Sequence, residues 1–177
     1  MLSKNLETLL NEQIAIESSS SYAYLAMASW CDVQGFEGAA NFFYKQSEEE
    51  RVHMLKLFQY INEKGGHALT PVHEPVQLTF SGINELMDLF YAHEVKVSQA
   101  VNKLVYEANK EMDYTTLIFL QWYVQEQHEE ETLARTLQDK IKLIGMDANG
   151  LFLIDNEIGK YATKKKATSV GTDAAAE

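Results

Sequence analysis

The segment 48–54, with the sequence EEERVHM, places three acidic residues and a histidine inside a long amphipathic stretch. Glu50 lies seven residues after Phe43 and seven before Leu57, so the three side chains share one face of a helix. His53 follows Glu50 by three residues and lies beside it on that face. A carboxylate and an imidazole on an otherwise apolar face are a candidate pair of metal ligands.

Three other amphipathic stretches are interrupted in the same way. Each carries a glutamate midway between two residues at a spacing of seven: Glu17 between Leu10 and Tyr24, Glu94 between Met87 and Val101, and Glu130 between Tyr123 and Leu137. A buried carboxylate without a partner loses its charge through a raised pKa, and no lysine or arginine lies on these faces. For a single glutamate, partial exposure at a helix edge is the more common arrangement. The coincidence of four interrupted faces instead favours bound cations.

The types of ligand narrow the choice of metal. Two divalent ions would neutralise the set, and Glu50 is the natural bridge between them because His53 lies one turn along the same helix. An oxygen-rich site with one imidazole suits iron or manganese. It has too few nitrogen or sulfur ligands for a typical zinc site, and the histidine argues against calcium or magnesium. The predicted ligands are Glu17, Glu50, His53, Glu94 and Glu130.

Four long helices are predicted to position these ligands. Apolar periodicity places them over 4–34, 39–64, 82–109 and 114–144. Ser81 and Asp113 are the expected N-caps of the third and fourth helices. A shorter fifth helix is predicted over 151–161, and the low complexity of 162–177 predicts a disordered tail beyond a single domain of residues 1–161.

The lengths of the connections set the topology. A 26-residue helix is about 39 Å long, so the short breaks at 35–38 and 110–113 force the helices on either side to run antiparallel. The 16-residue connection 66–81, which contains both prolines, can span roughly 53 Å and run the length of the bundle. The sequence therefore predicts an all-α four-helix bundle with one long crossover between helices two and three, plus a short fifth helix.

Composition argues against several partners and locations. The net charge of −11 over 177 residues is unsuited to nucleic acid or an anionic membrane surface and is compatible with handling cations. Cys31 is the single cysteine, which suits a reducing compartment. No apolar run has the length of a signal-peptide core or a membrane span. We therefore expect a cytoplasmic protein that binds neither nucleic acid nor membrane.

At these residues the sequence resembles the bacterial-type non-haem ferritins of the ferritin-like di-iron carboxylate superfamily, over about residues 1–161. The resemblance implies a ferroxidase centre with Glu17, Glu50 and His53 at one iron, and Glu50, Glu94 and Glu130 at the other. It also implies supporting roles for residues beside the centre, Tyr24 and Gln127, with Gln127 counted in the metal site. A third iron site would consist of Glu49, Glu126 and Glu129 together with Glu130.

Two departures separate the chain from related families. Gln127 and Glu130 stand where bacterioferritins and rubrerythrins carry a second Glu-x-x-His on the fourth helix. Arg51 stands where bacterioferritins carry their haem-ligating methionine, so no haem is expected. The miniature cages that protect DNA usually lack a fifth helix and build their site across a subunit interface, which fits this sequence poorly.

The resemblance implies an iron-storage ferritin with ferroxidase activity. Such a protein oxidises Fe(II) to Fe(III) with dioxygen or peroxide and stores ferric oxyhydroxide inside a hollow homo-oligomeric shell of about 24 subunits. The first alternative is a non-storing di-iron or di-manganese oxidase or peroxidase of ferritin-like fold. The second is a metal-free bundle used for association, in which removal of a buried glutamate would leave stability unchanged or increase it.

Overall fold

The computed structural model describes residues 1–163, which form five α-helices and, within that range, no strand. The helices are α1 (Lys4–Gln34), α2 (Glu37–Glu63), α3 (Ile83–Lys110), α4 (Tyr114–Ile144) and α5 (Ala148–Thr163). The predicted disordered tail, 162–177, was wrong for residues 162 and 163, which belong to α5. From residue 164 onward this prediction lies outside the residues that the structure describes. None of the helices in the described part of the chain is long and apolar enough to span a membrane.

The helix ends confirm one predicted cap and correct another. Asp113 caps α4 as expected, and its carboxylate accepts a hydrogen bond from the backbone N–H of Thr116 at 3.1 Å. The prediction for Ser81 was wrong, because Gly82 is the N-cap of α3 and provides no side-chain cap. The Ser81 hydroxyl instead donates to Glu85 at 2.8 Å. The Glu85 carboxylate, in the first turn of α3, accepts this hydrogen bond. The Ser81 hydroxyl therefore acts as a donor and not as the acceptor that an N-cap residue provides.

The topology is the predicted one. Tyr44 donates to Asp32 at 2.7 Å near the short break between α1 and α2, and Ser21 contacts Ser47 further along, so the two helices run antiparallel. The helices α3 and α4 pack as a second antiparallel pair. The long connection 64–82 crosses from one end of the bundle to the other and makes α2 and α3 parallel.

The apolar core is divided into two clusters along the bundle. One cluster, near the break between α1 and α2, includes Met27, Phe42, Phe43, Leu86 and Phe90. The other, toward the opposite end, includes Leu6, Leu10, Ile14, Leu57 and Leu120. The glutamates that interrupt the apolar faces occupy the layer between the two clusters, so the bundle surrounds a polar layer with close-packed hydrophobic residues.

The fifth helix packs against the start of α2. Phe36 is the N-cap of α2 and supplies no side-chain hydrogen bond there. The carboxylate of Asp155 in α5 accepts from the backbone N–H groups of Gly38 at 3.0 Å and Ala39 at 2.8 Å, so it satisfies the free donors of the first turn from another helix. A Cβ atom at Gly38 would lie 2.2 Å from the backbone oxygen of Asp155, and this close approach requires glycine.

Candidate metal centre

One group of potential metal ligands is assembled from α1 and α2. Ligand atoms of Glu17, Glu50 and His53 all lie within 4.8 Å of one another. His53 Nδ1 is 3.6 Å from a carboxylate oxygen of Glu50 and 4.0 Å from one of Glu17. All three residues are buried, with exposed fractions of 0%, 1% and 3%. The i, i+3 spacing on α2 therefore points glutamate and histidine toward the glutamate of the neighbouring helix, as the sequence predicted.

The helices α3 and α4 place two further buried carboxylates in the same layer. Glu94 is 0% and Glu130 is 1% exposed. The hydroxyl of Tyr24 donates to one carboxylate oxygen of Glu94, and Gln127 Nε2 donates to the other at 3.0 Å. The predicted tyrosine and glutamine therefore orient Glu94. They contact both of its carboxylate oxygens through hydrogen bonds.

Two buried glutamines that sequence reasoning missed also contact the layer. Gln13 Nε2 donates to Glu17 at 2.8 Å, and Gln46 Nε2 donates to Glu130 at 2.9 Å. Both are almost fully buried. Each precedes a predicted ligand of its own helix by four residues, a spacing that places the two side chains on one face. That spacing was the available signal, although it does not reveal that Gln46 bonds across the bundle.

Burial dominates the electrostatics of the carboxylates. Burial raises the pKa of Glu17 well above its usual range, and the nearby carboxyl of Glu50 raises it further. Burial, followed by the charge of Glu130, raises the pKa of Glu94 to about 8. Hydrogen bonds from Tyr24 and Gln127 oppose this shift. Among residues 1–163, no lysine or arginine lies within ion-pairing distance of Glu17 or Glu94.

Three more predicted ligands, Glu49, Glu126 and Glu129, flank the buried ones along α2 and α4; we call them the outer carboxylates. Among residues 1–163, the group whose ligand atoms lie within 4.8 Å of one another does not include them. All three are partly buried. A carboxylate oxygen of Glu126 is 3.9 Å from His53 Nε2, on the opposite side of the imidazole from Glu17 and Glu50. Glu49 forms an ion pair with Lys45 at 3.7 Å. The histidine ring thus lies between Glu17 and Glu50 on one side and Glu126 on the other.

The donor set fits a metal ion that prefers oxygen ligands and tolerates one nitrogen. Glu17 Oε2 is buried and has no hydrogen-bond partner among the described residues. Buried carboxylate oxygens usually have partners, so such an atom beside an imidazole suits a metal ion as its partner. The phenol of Tyr123 donates to the backbone oxygen of His53 at 2.8 Å and holds the histidine-bearing turn of α2 against α4.

The fold and the centre together define a helical bundle with a carboxylate-rich metal site in its interior. The profile of the ferritin-like domain matches residues 7–144. The chain belongs to the ferritin family. The matched range covers nearly all of the four long helices and ends before α5.

Individual relatives agree with the family. The chain is 44% identical over 164 residues to a probable bacterial non-heme ferritin-like protein of Haemophilus influenzae, covering 93% of this chain and 99% of that protein. It is 43% identical over 167 residues to the bacterial non-heme ferritin of Campylobacter jejuni, covering 94% and 99%. Among solved structures, an open pore ferritin from Archaeoglobus fulgidus superposes with a TM-score of 0.86 at 36% identity, covering 90% and 98%.

Proposed function

We propose that the protein is an iron-storage ferritin whose subunit oxidises Fe(II) at a di-iron ferroxidase centre. The observation that carries the proposal is the group formed by Glu17, Glu50 and His53, whose ligand atoms lie within 4.8 Å of one another. Glu94 and Glu130 are buried beside it, and Glu94 interacts electrostatically with both Glu130 and Glu17. Glu17, Glu50 and His53 would hold one iron, and Glu50, Glu94 and Glu130 would hold the other. Glu49, Glu126 and Glu129, with Glu130, would hold a third.

The chemistry follows from the state of the metal-free carboxylates. Because burial favours the protonated forms of Glu17 and Glu94, Fe(II) binding there must displace protons, and the incoming charge then stabilises the ionised carboxylates. Each Fe(II) gives up one electron to dioxygen or peroxide. Tyr24 and Gln127 keep Glu94 oriented during this step through their hydrogen bonds. Gln13 and Gln46 do the same for Glu17 and Glu130.

Storage requires an enclosed space, so we propose assembly into a homo-oligomeric shell of about 24 subunits that holds ferric oxyhydroxide. The support is the likeness along nearly the whole chain to bacterial non-heme ferritins and to a ferritin of solved structure. We place the protein in the cytoplasm. We expect no haem, because Arg51 stands at the position where bacterioferritins carry their haem-ligating methionine. Arg51 follows Glu50 and lies on the exposed side of α2.

The test combines oxidation and particle size. Fe(II) is added aerobically in large excess to the purified protein, and the oxidation rate, the soluble iron per chain and the particle mass are recorded together. Glu50→Gln is compared with Glu48→Gln, which removes an exposed charge two residues away. We expect wild type and Glu48→Gln to oxidise and retain many irons per chain in a large particle. In Glu50→Gln, the rate of the rapid phase of Fe(II) oxidation should fall tenfold or more.

The alternatives predict different outcomes. Saturation at two or three irons per chain in a small oligomer would identify a non-storing oxidase. Oxidation no faster than in buffer, with Glu50→Gln identical to Glu48→Gln, would leave a metal-free bundle as the remaining interpretation.

A further inference from the structure

Two lysines of α2 accompany the outer carboxylates. Lys45 Nζ lies 3.7 Å from Glu49, one turn away on the same helix. Lys56 Nζ lies 3.6 Å from the centroid of the Trp122 ring and close enough to Glu126 for that carboxylate to raise the pKa of the ammonium, although burial lowers it more. Trp122 and Glu126 are four residues apart on α4, so the indole and the carboxylate share one face and flank the ammonium.

The inner carboxylates have different neighbours. Glu17 and Glu94 are fully buried, and in the described part of the chain no lysine or arginine lies within ion-pairing distance of them. Two of the outer carboxylates, Glu49 and Glu126, each interact with a lysine. A metal ion at these two outer carboxylates must therefore compete with an ammonium that is already there, whereas a metal ion at Glu17 or Glu94 does not.

We propose that Lys56, together with Lys45, is a resident counter-ion that weakens cation binding at the outer carboxylates. This inference rests on the proposed function and specifies how its third metal site is tuned. As a consequence, the outer carboxylates bind cations much more weakly than the adjacent inner site does. The inner pair retains divalent ions, and the outer carboxylates take an ion briefly and release it.

The indole of Trp122 holds the Lys56 ammonium close to Glu126. Its face attracts an ammonium, so the lysine stays beside this carboxylate until a metal ion takes Glu126 and the ammonium shifts. Trp122 also contacts the edge of His53, with ring centroids 5.2 Å apart. Movement of the ammonium should therefore alter the environment of the indole, which gives an optical signal independent of iron oxidation.

The experiment measures Zn(II) binding to the assembled, metal-free protein by calorimetry. Zinc is redox-inert and takes oxygen and nitrogen ligands, so it reports binding alone. Glu126→Gln identifies the phase that belongs to the outer carboxylates. Lys56→Met removes the charge and keeps the length of the side chain, and Lys56→Arg restores charge and ring contact. Lys103→Met, which removes a solvent-exposed ion pair with Glu12, is the matched control.

We expect Lys56→Met to tighten the weak phase about fivefold, the upper range for a partly exposed pair of charges, and to leave the tight phase unchanged. Lys45→Met should act in the same direction, while Lys56→Arg and Lys103→Met should match wild type. In a Trp30→Phe background, zinc should change the fluorescence of Trp122 in wild type, and in Lys56→Met this change should be reduced at least twofold.

A weak phase that is equal in wild type and Lys56→Met would overturn the proposal, as would a weak phase insensitive to Glu126→Gln. Absence of the tight phase from wild type would count instead against the proposed di-metal centre. Thermal unfolding of each variant checks that the bundle is intact before binding is compared.

Discussion

Replacement of Glu94 by glutamine isolates the cost of the buried carboxylate layer. Glutamine has the shape of the protonated carboxyl group and cannot ionise. Its amide can accept from Tyr24, and Gln127 can turn its own amide to match the new donor. The substitution therefore removes the titration of Glu94 with little change in packing.

The sign and size of the effect follow from the pKa. Burial and the neighbouring Glu130 raise the pKa of Glu94 from 4.5 to about 8, so the native state binds this proton more tightly than the unfolded chain does. The metal-free protein must then lose stability as the pH rises above about 4.5, until the group is fully ionised above about 8. At ~1.4 kcal/mol per pKa unit, the loss is on the order of 5 kcal/mol at full ionisation and ~3 kcal/mol at pH 7.

The assay is chemical unfolding of chelator-treated protein at pH 5, 7 and 8.5, followed by circular dichroism. Protein concentration is held equal because assembly contributes to apparent stability. Glu94→Gln should match wild type at pH 5 and exceed it by several kcal/mol at pH 8.5. Glu48→Gln, an exposed neighbour of the site, should follow wild type throughout. If wild type and Glu94→Gln show the same pH dependence between 5 and 8.5, Glu94 does not carry the buried proton and the reasoning fails.

Three further outcomes are expected. Tyr24→Phe removes a hydrogen bond that lowers the pKa of Glu94. In the same unfolding series, the pH-dependent loss of stability should therefore end at a higher pH than in wild type. An unshifted curve would contradict this. Asp155→Ala should lower stability by about 1 kcal/mol through loss of the α2 cap, as measured by denaturant titration, whereas Asp139→Ala, at an exposed position, should not. Gly38→Ala should cost about 1–3 kcal/mol or detach α5, detectable by limited proteolysis of that helix, because its Cβ would overlap Asp155.

The long helices and the acidic layer were predictable because both depend on one periodicity. A glutamate that lies seven residues from an apolar residue on either side occupies the same helix face as those two residues. As this rule predicts, none of the four glutamates is more than 1% exposed: Glu17, Glu50, Glu94 and Glu130. The short breaks between helices fixed the pairing, since chain length alone rules out the other arrangements. These inferences use local geometry and distance, which are encoded along the chain.

Features that depend on contacts between distant residues could not be predicted in this way. The fifth helix begins at Ala148 rather than 151, because Asp147 accepts from the backbone N–H of Gly150 and allows that glycine into the first turn. The second begins at Glu37 rather than 39, where Asp155 of another helix completes its N-terminus. In both cases, the carboxylate that stabilises the start of the helix was not apparent from the apolar pattern.

The division of the core explains how the chain tolerates a layer that opposes its own folding. Buried acids cost stability when no metal is bound, and the two apolar clusters that enclose them must offset that cost. Residues of both clusters also form the walls of the layer: Tyr24 belongs to one cluster and Tyr123 to the other, and each phenol donates a hydrogen bond toward the site. The packing that stabilises the bundle therefore also holds Glu94 and the His53 turn in place before any ion arrives. A metal ion then gains its affinity from ligands whose conformational entropy has already been lost on folding.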